Sequence, residues 1–523
     1  MTAKEQSEST LAVKQSENPP DVSSGTRGKK GNEQDIESIS NPAIKPHDSK
    51  PRETKTISPK MPISNPKDVV SQLHHLATKL HRALTVPIKH ETIHLCGPAA
   101  LNLLPRLPDE VLKLAYEKLN SWPFHAVPVC WRRLYEDASL YRTIWLIRGV
   151  EDEAMGGGEA VGEGEGQRNK RRKLKSIDEI IDAVIIELDK GLTISGAPGR
   201  KDVFEFAFEF LKGLIHDDSI DERFTRRFTC GCEVELSSEY PIPRTENNLS
   251  FDEFQTHLDK FTTPLIIPDT FTHWPALERW QDPTYLLSHT LGGRRLVPVE
   301  IGKSYTDEDW SQRVMQMREF MQTYLLPSHP AEIGYLAQHD LFAQIPALRN
   351  DIAIPDYCFT LPPAADCAVR KTAGLKDVAQ LEEPMLNAWL GPGGTKTPLH
   401  TDPYHNVLCQ VVGYKYVRLY GPEESDSLYP RGLDEKGISM ANTSLVDVEL
   451  FRSPWNRPGR KTNQQDGNQA LAAAKMKAEF PLFEKATYQE AIIGPGECIY
   501  IPVGWWHYIE SVSTSFSVSF WWN

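Results

Sequence analysis

At 523 residues, with 40% hydrophobic residues and 12 Trp, the chain is long enough for two or three domains with sizeable cores. Its formal charge of −13 argues against a surface given over to nucleic-acid phosphates. No window approaches the roughly 18 consecutive apolar residues of a membrane span and no secretory apolar core opens the chain, so a soluble, intracellular protein without membrane or direct nucleic-acid partners is expected.

Residues 1–65 form the first segment; up to residue 60 they hold no Phe, Trp or Tyr and mix Ser, Pro, Lys and Glu, which predicts a disordered tail. Val69, Val70, Leu73, Leu76, Leu80 and Leu84 then follow helical spacing. Further helices are predicted over Asp109–Leu119, Val129–Ile147, Ile177–Lys190 and Asp202–His216, giving a helical N-terminal domain over 66–240. A Gly/Glu-rich, then basic, insert at 151–175 divides them. Its RNKRRKLK run, Arg168–Lys175, reads as a nuclear import signal, a basic contact loop or a solvated charge run, which allows nuclear or cytoplasmic residence. Leu107–Trp145, with LPDEVL and VCWRRLYED, is weakly similar to an F-box, the helical motif of ubiquitin-ligase adaptors; the same residues also read as ordinary structural helices.

From about Thr245 the pattern changes to short apolar runs with Pro and Gly between them, several alternating with period two as strands do. NVLCQVVGYKYVRLY reads as a hairpin turning near Gly413, and IIGPGECIYIP as another turning at Pro495-Gly496. An all-β barrel or sandwich with flanking helices is expected over 245–523, with loop insertions near 359–384 and 452–479 that lack the alternation. The eight cysteines suggest neither a disulfide framework nor a zinc motif, and the close pair Cys230 and Cys232 has no partners.

His400 and Asp402 are two apart and, on an extended chain, project from one face. Alone, HxD is a weak signal that also fits polar residues at a strand mouth. Here it follows GPGGTKTP and precedes the Lys415 strand, while His507 follows PGECIYIPVGWW. Two histidines and a carboxylate on one face of an octahedral metal leave three positions open, the arrangement of non-haem Fe(II) oxygenases.

These segments resemble the Jumonji-C (JmjC) oxygenases, together with VPVEIGKSYTDEDWSQ, IGYLAQHDLFAQIPALRNDIAIPDYC, NAWLGPGGTKTPLHTDP, NTSLVDVE and SFSVSFWWN. The likeness is greatest to a branch described both as arginyl hydroxylases and as histone lysine demethylases. It implies a double-stranded β-helix of the cupin, or jelly-roll, type, with Fe(II) as cofactor and 2-oxoglutarate and O2 as co-substrates. It implies His400, Asp402 and His507 as metal ligands and catalytic centre, and Lys415 with Tyr335, Gln338, Thr397 and Asn406 as the 2-oxoglutarate site. Glu300, Tyr305 and Trp389 fall where the family binds an arginine side chain; read alone, Lys415 also fits an exposed lysine, Glu300 a surface acid and Trp389 a core residue. Thr401, Tyr404 and His405 depart from the family pattern. The expected function is protein hydroxylation of an arginine on a ribosomal, chromatin-associated or related protein, with N-methyl-lysine demethylation of a histone tail, or an F-box-like adaptor carrying a cupin domain, as alternatives.

Overall fold

The computed structural model describes residues 66–122, 126–149, 176–215, 222–228, 231–232, 234, 236–302, 310–327, 330–363, 380–433, 439–452 and 464–523. The tail 1–65, the insert at 151–175 and Tyr305 lie outside them.

Helix α1 spans Pro66–Leu84, α2 Pro98–Leu103, α3 Pro108–Asn120, α4 Val129–Arg148, α5 Ile177–Ser195 and α6 Lys201–Lys212. The predicted apolar stripe of α1 is buried through Leu73, Leu76 and Leu80, against Leu140 and Ile144 of α4, Val184 and Leu188 of α5 and Phe204 of α6. Ser176 caps α5 by accepting from Glu179 N, and Gly196 ends it in the left-handed conformation at φ 73°. Helix α4 buries charge as well as apolar surface. Arg133 reaches Asp137 at 3.0 Å and Glu91 at 2.9 Å and also bonds Glu136, while Arg200 Nε donates to Asp137 at 2.7 Å. Leu112 and Ala115 of α3 pack with Leu134 and Ala138 of α4, so part of the apolar surface of the F-box-like stretch is buried within this layer, while Leu107, Leu114, Tyr116, Trp122, Val129 and Trp145 stay exposed.

Twelve strands follow: β1 Leu265–Ile267, β2 Leu296–Ile301, β3 Ser311–Gln316, β4 Gly334–His339, β5 Met385–Gly391, β6 Lys396–His400, β7 His405–Val412, β8 Lys415–Tyr420, β9 Tyr488–Ile493, β10 Cys498–Ile501, β11 Trp506–Ser511 and β12 Ser515–Trp522. They form an eight-stranded sheet in the order β1-β10-β7-β12-β5-β4-β2-β3 and a four-stranded sheet in the order β6-β11-β8-β9. From β5 onward the chain passes repeatedly from one sheet to the other, which is the jelly-roll expected from the sequence.

That crossing overturns both predicted hairpins. β7 pairs with β10 and β12, whereas β8 pairs with β11 and β9. Gly413 is a corner between sheets. At φ +71° it lies so close to Thr514 O that an added Cβ would fall 1.9 Å from it. The turn at Pro495-Gly496 is another corner, leading from β9 in the small sheet to β10 in the large one. Alternation is the same for a hairpin and for two strands that face each other across a barrel, so the pattern alone cannot separate them. The second predicted loop insertion is also corrected: Gln464–Glu479 is a helix, and Phe480 and Phe483 beyond it are buried against the outer face of the small sheet. Of the first, 364–379 lies outside the described residues.

Alternate residues of the large sheet face outward onto a core that includes Val407, Cys409, Val518, Phe520, Ala388 and Leu390, covered in part by Phe254 and Leu258 of α7, Phe251–Lys260. The barrel interior is apolar at one end, where Ile266, Ile499, Ile501, Val417, Leu419 and Ile493 meet. The helical layer joins the barrel through Asp189 of α5. Its carboxylate accepts from Arg295 Nε at 2.8 Å, from Leu296 N at 2.8 Å and from Gln344 Nε2 at 3.0 Å, and the Arg295 guanidinium lies 3.5 Å over the Phe208 ring. Asp189 is fully buried. Removing one partner of a buried ion pair leaves the other charge uncompensated, so Asp189→Ala should lower unfolding stability by about 3–5 kcal/mol. Urea denaturation of the variant against the parent protein checks this.

Candidate active site

β6 and β11 are antiparallel neighbours in a register that sets His400 directly opposite His507. Their rings lie 4.1 Å apart, centroid to centroid. Asp402, two residues beyond His400, places Oδ1 3.5 Å from His400 Nε2 and Oδ2 3.4 Å from His507 Nε2. One potential ligand atom from each of the three lies within 4.8 Å of the others, and no second such cluster occurs among the described residues.

The backbone sets the imidazole tautomers. His400 Nδ1 donates to Pro398 O at 2.8 Å and His507 Nδ1 to Trp505 O at 3.1 Å, so in the neutral rings each Nε2 keeps its lone pair for a metal. Burial would raise the Asp402 carboxyl, but His400 and His507 hold it well below the ordinary carboxylate range. Burial also depresses His507, with His400 beside it. A carboxylate and two imidazoles of fixed orientation are the donor set that a divalent iron requires. The segment carrying Asn442 and Ser444 steadies the mouth: Thr401 N donates to Asn442 O and Ser444 N to Leu399 O, each at 2.8 Å.

The triad forms one wall of a small cavity, also lined by Tyr335, Trp389, Thr397, Asn406, Leu408, Lys415, Ile509 and Ser519. Lys415 is 1% exposed and donates to Tyr335 OH at 3.1 Å, with the Tyr335 and Trp389 rings 5.6 and 5.9 Å from its Nζ. Among the described residues no carboxylate forms an ion pair with it. Burial draws its ammonium down to about 7.

Four of the five residues expected around 2-oxoglutarate thus share the cavity with the triad. Gln338 does not: it is exposed, with φ 45°, at the point where the pairing of β4 with β5 loses register between Leu336 and His339. Of the expected substrate residues, Trp389 lines the cavity and donates Nε1–H to Ser519 Oγ at 2.9 Å. Glu300 sits opposite Tyr335 across β2 and β4; burial raises its carboxyl, with a hydrogen bond from Trp310 opposing. His405 points away, its ring stacked on Tyr500 at 9°. Sequence reasoning passed over Ser519, although serines at 515, 517 and 519 mark a small polar stripe facing one way along a strand.

Asp402→Ala removes a ligand at a strand mouth rather than a core side chain. The variant should lose tight Fe(II) and Co(II) binding in equilibrium dialysis while its circular dichroism stays that of the parent; retained binding would exclude Asp402 from the site.

Residues 252–523 match the cupin-like domain family. Jumonji C domain-containing protein 5 of Drosophila melanogaster is 32% identical over 78% of this chain and 84% of its own length, and lysine-specific demethylase JMJ30 of Arabidopsis thaliana 33% over the same two shares. Lysine-specific demethylase 8 of Xenopus tropicalis is 42% identical over 55% of this chain, which spans only about half, 54%, of that relative. The chain therefore belongs to the JmjC group of the cupin-like family, the 2-oxoglutarate-dependent oxygenases, whose members generally use Fe(II).

Proposed function

We propose that the protein binds Fe(II) through His400, Asp402 and His507 and 2-oxoglutarate through Lys415, Tyr335, Thr397 and Asn406, and that it hydroxylates a protein substrate, with an arginine side chain as the first choice of target. The observation that carries the co-substrate reading is Lys415: an ammonium 1% exposed, without a carboxylate partner among the described residues, in the cavity that holds the metal triad. A buried cation is stable only when paired, and a carboxylate entering this cavity supplies the pair. When bound, Fe(II) and 2-oxoglutarate activate O2, the co-substrate leaving as succinate and CO2 while one oxygen atom enters a substrate C–H bond. The chain's own residues do the rest. The triad leaves one side open, Lys415 and Tyr335 fix the far carboxylate, and the apolar floor of Leu408 and Ile509 excludes water.

Glu300 supports a cationic substrate, because it is a half-buried acid beside Tyr335 with no basic partner among the described residues. A carboxylate matches the forked donors of a guanidinium, whereas a methylated ammonium offers few N–H groups and gains less from it. The second reading, N-methyl-lysine demethylation, is favoured by the names of the relatives. It uses the same oxygen insertion, at an N-methyl carbon that then departs as formaldehyde. Candidate substrates are histone tails and chromatin-associated or ribosomal proteins, in the nucleus or the cytoplasm. The helices over Leu107–Trp145 serve in this reading as a scaffold rather than as a ligase adaptor.

Lys415→Ala should weaken 2-oxoglutarate binding roughly ten- to hundredfold, the worth of a hydrogen bond to a charged group, with Fe(II) affinity nearly unchanged. Calorimetric titration that finds unaltered co-substrate affinity would remove Lys415 from the site. The lysine also predicts a pH dependence. Burial depresses it from 10.5 to about 7, so between those values the unfolded chain holds a proton that the folded chain does not. Stability of the ligand-free protein should therefore rise with pH across that window, and the rise should disappear in Lys415→Met or with 2-oxoglutarate bound. Melting curves at several pH values read both. To separate the two substrate readings, arginine and methyl-lysine peptides are scored for added oxygen and for formaldehyde. Glu300→Gln should abolish arginine hydroxylation and spare 2-oxoglutarate binding; formaldehyde release with no oxygen added to arginine would favour demethylation instead.

A further inference from the structure

The large sheet ends at β3, which pairs with β2 and has no strand on its other side. The pairing runs without a bulge from Leu296 opposite Gln316 to Ile301 opposite Ser311. Met317 N donates to Arg295 O at 2.8 Å, which fixes the phase of the ladder. Ser311, Arg313 and Met315 therefore exchange main-chain bonds with β2, and the N–H and C=O of Gln312 and Val314 point to the open side. Among the described residues no main-chain group bonds to them there.

The same two residues turn their side chains toward the cavity side of the sheet. Val297, Val299, Ile301 and Met315 face the outer core, so Glu300, Gln312 opposite it and Val314 face the other way. Glu300 stands opposite Tyr335 of the cavity wall, and Trp310, at the entry to β3, donates to its carboxylate. One face thus runs from the cavity, past Glu300, to the free edge.

Sheet edges that stay solitary are blunted by Pro, Lys, bulges or a cover. β3 has no Pro, Lys or bulge, and Ser311, Gln312, Arg313 and Val314 are exposed in succession, Val314 at 62%. Such an edge is completed by an extended segment of another chain. Position decides which one. A strand added to β3 lies two strand spacings, about 10 Å, from β2, or roughly three residues of extended chain. A polypeptide whose target side chain passes Glu300 into the cavity brings its neighbouring residues to this edge.

We propose that the open edge of β3 docks the protein substrate: an extended segment roughly three residues from the target adds to the large sheet and exchanges main-chain bonds with Gln312 and Val314. The proposal rests on the reading that the substrate is a protein. Recognition here is of backbone, so it tolerates different sequences around the target, with Val314 offering an apolar contact to the side chain beside it.

The full chain, loaded with Zn(II) and 2-oxoglutarate under nitrogen, is titrated with the N-acetylated peptide amides TVTVGGRGGTVTV and GGRGG. The first offers a strand-forming segment on either side of the arginine. It should bind at least roughly tenfold tighter than the second, the worth of one net hydrogen bond or more, and should slow hydrogen exchange across Ser311–Gln316. Val314→Pro removes only the outward N–H of an edge strand and should abolish both effects, whereas Val314→Ala should keep them. If Val314→Pro does not fold, the long peptide with every Thr and Val N-methylated replaces it and should bind no tighter than GGRGG. Exchange across β3 that no peptide slows, or a gain that survives Val314→Pro or N-methylation, overturns the proposal. So does a parent protein that sediments as a dimer and becomes a monomer in Val314→Pro, since the edge then belongs to a second copy. The long peptide with glycine in place of arginine should bind more weakly and still slow exchange across β3 at saturation. Equal binding of the two long peptides would count against the arginine reading alone and leave the edge assignment standing.

Discussion

The antiparallel pairing of β6 with β11 is the constraint on which the site depends. It is a backbone register, and it alone sets His400 across from His507. A slip of one residue would turn one imidazole to the opposite face of the small sheet, where Leu399, Tyr416 and Trp506 are packed. The two Nδ1 bonds to Pro398 O and Trp505 O then orient rings whose positions the register has already fixed. Asp402 needs no strand of its own, since it follows His400 at the strand mouth, where Gly504 N donates to its carbonyl at 3.4 Å.

The interior of the barrel is divided by polarity. Isoleucines, valines and leucines fill one end, and the ionisable groups collect at the other. The division makes each polar residue there consequential, because low polarity strengthens a satisfied interaction and penalises an unsatisfied one. Lys415, drawn down to about 7 by its surroundings, shows the penalty. Arg418, equally buried in the same strand, shows the alternative, for it points the other way and is paired with Glu490 at 2.8 Å. An inward and an outward cation of one strand thus have opposite fates, one awaiting a partner that must come from solution and one satisfied within the fold.

Much of this was legible in the sequence, and the failures have a common cause. Helix α1 was readable from Leu73, Leu76 and Leu80, and α5 from its run Ile177–Lys190, short of its end at Ser195, because apolar periodicity is a local property. The triad was readable because HxD, the GPGG turn and GWWHY occur in order. The pairing partners were not. Gly413 and Pro495-Gly496 both look like hairpin turns, yet each carries the chain between sheets, and no local feature distinguishes the two. Gln338 failed for a similar reason: a positive φ at an irregular point of β4 turns it out to solvent, which its neighbours in sequence do not announce.

The place of β12 has a consequence for how the molecule is assembled. It comes after every other strand in the chain, yet it lies in the middle of the large sheet, hydrogen-bonded to β7 on one side and β5 on the other. Until it is inserted, β7 and β5 have two open edges facing each other, and the cavity lacks its back wall. Closing the sheet requires contacts between residues far apart in sequence, a slower kind of pairing than a chain of hairpins needs. The half-built barrel exposes apolar strand edges during that interval, so the risk of misassembly is concentrated in the step that also completes the pocket.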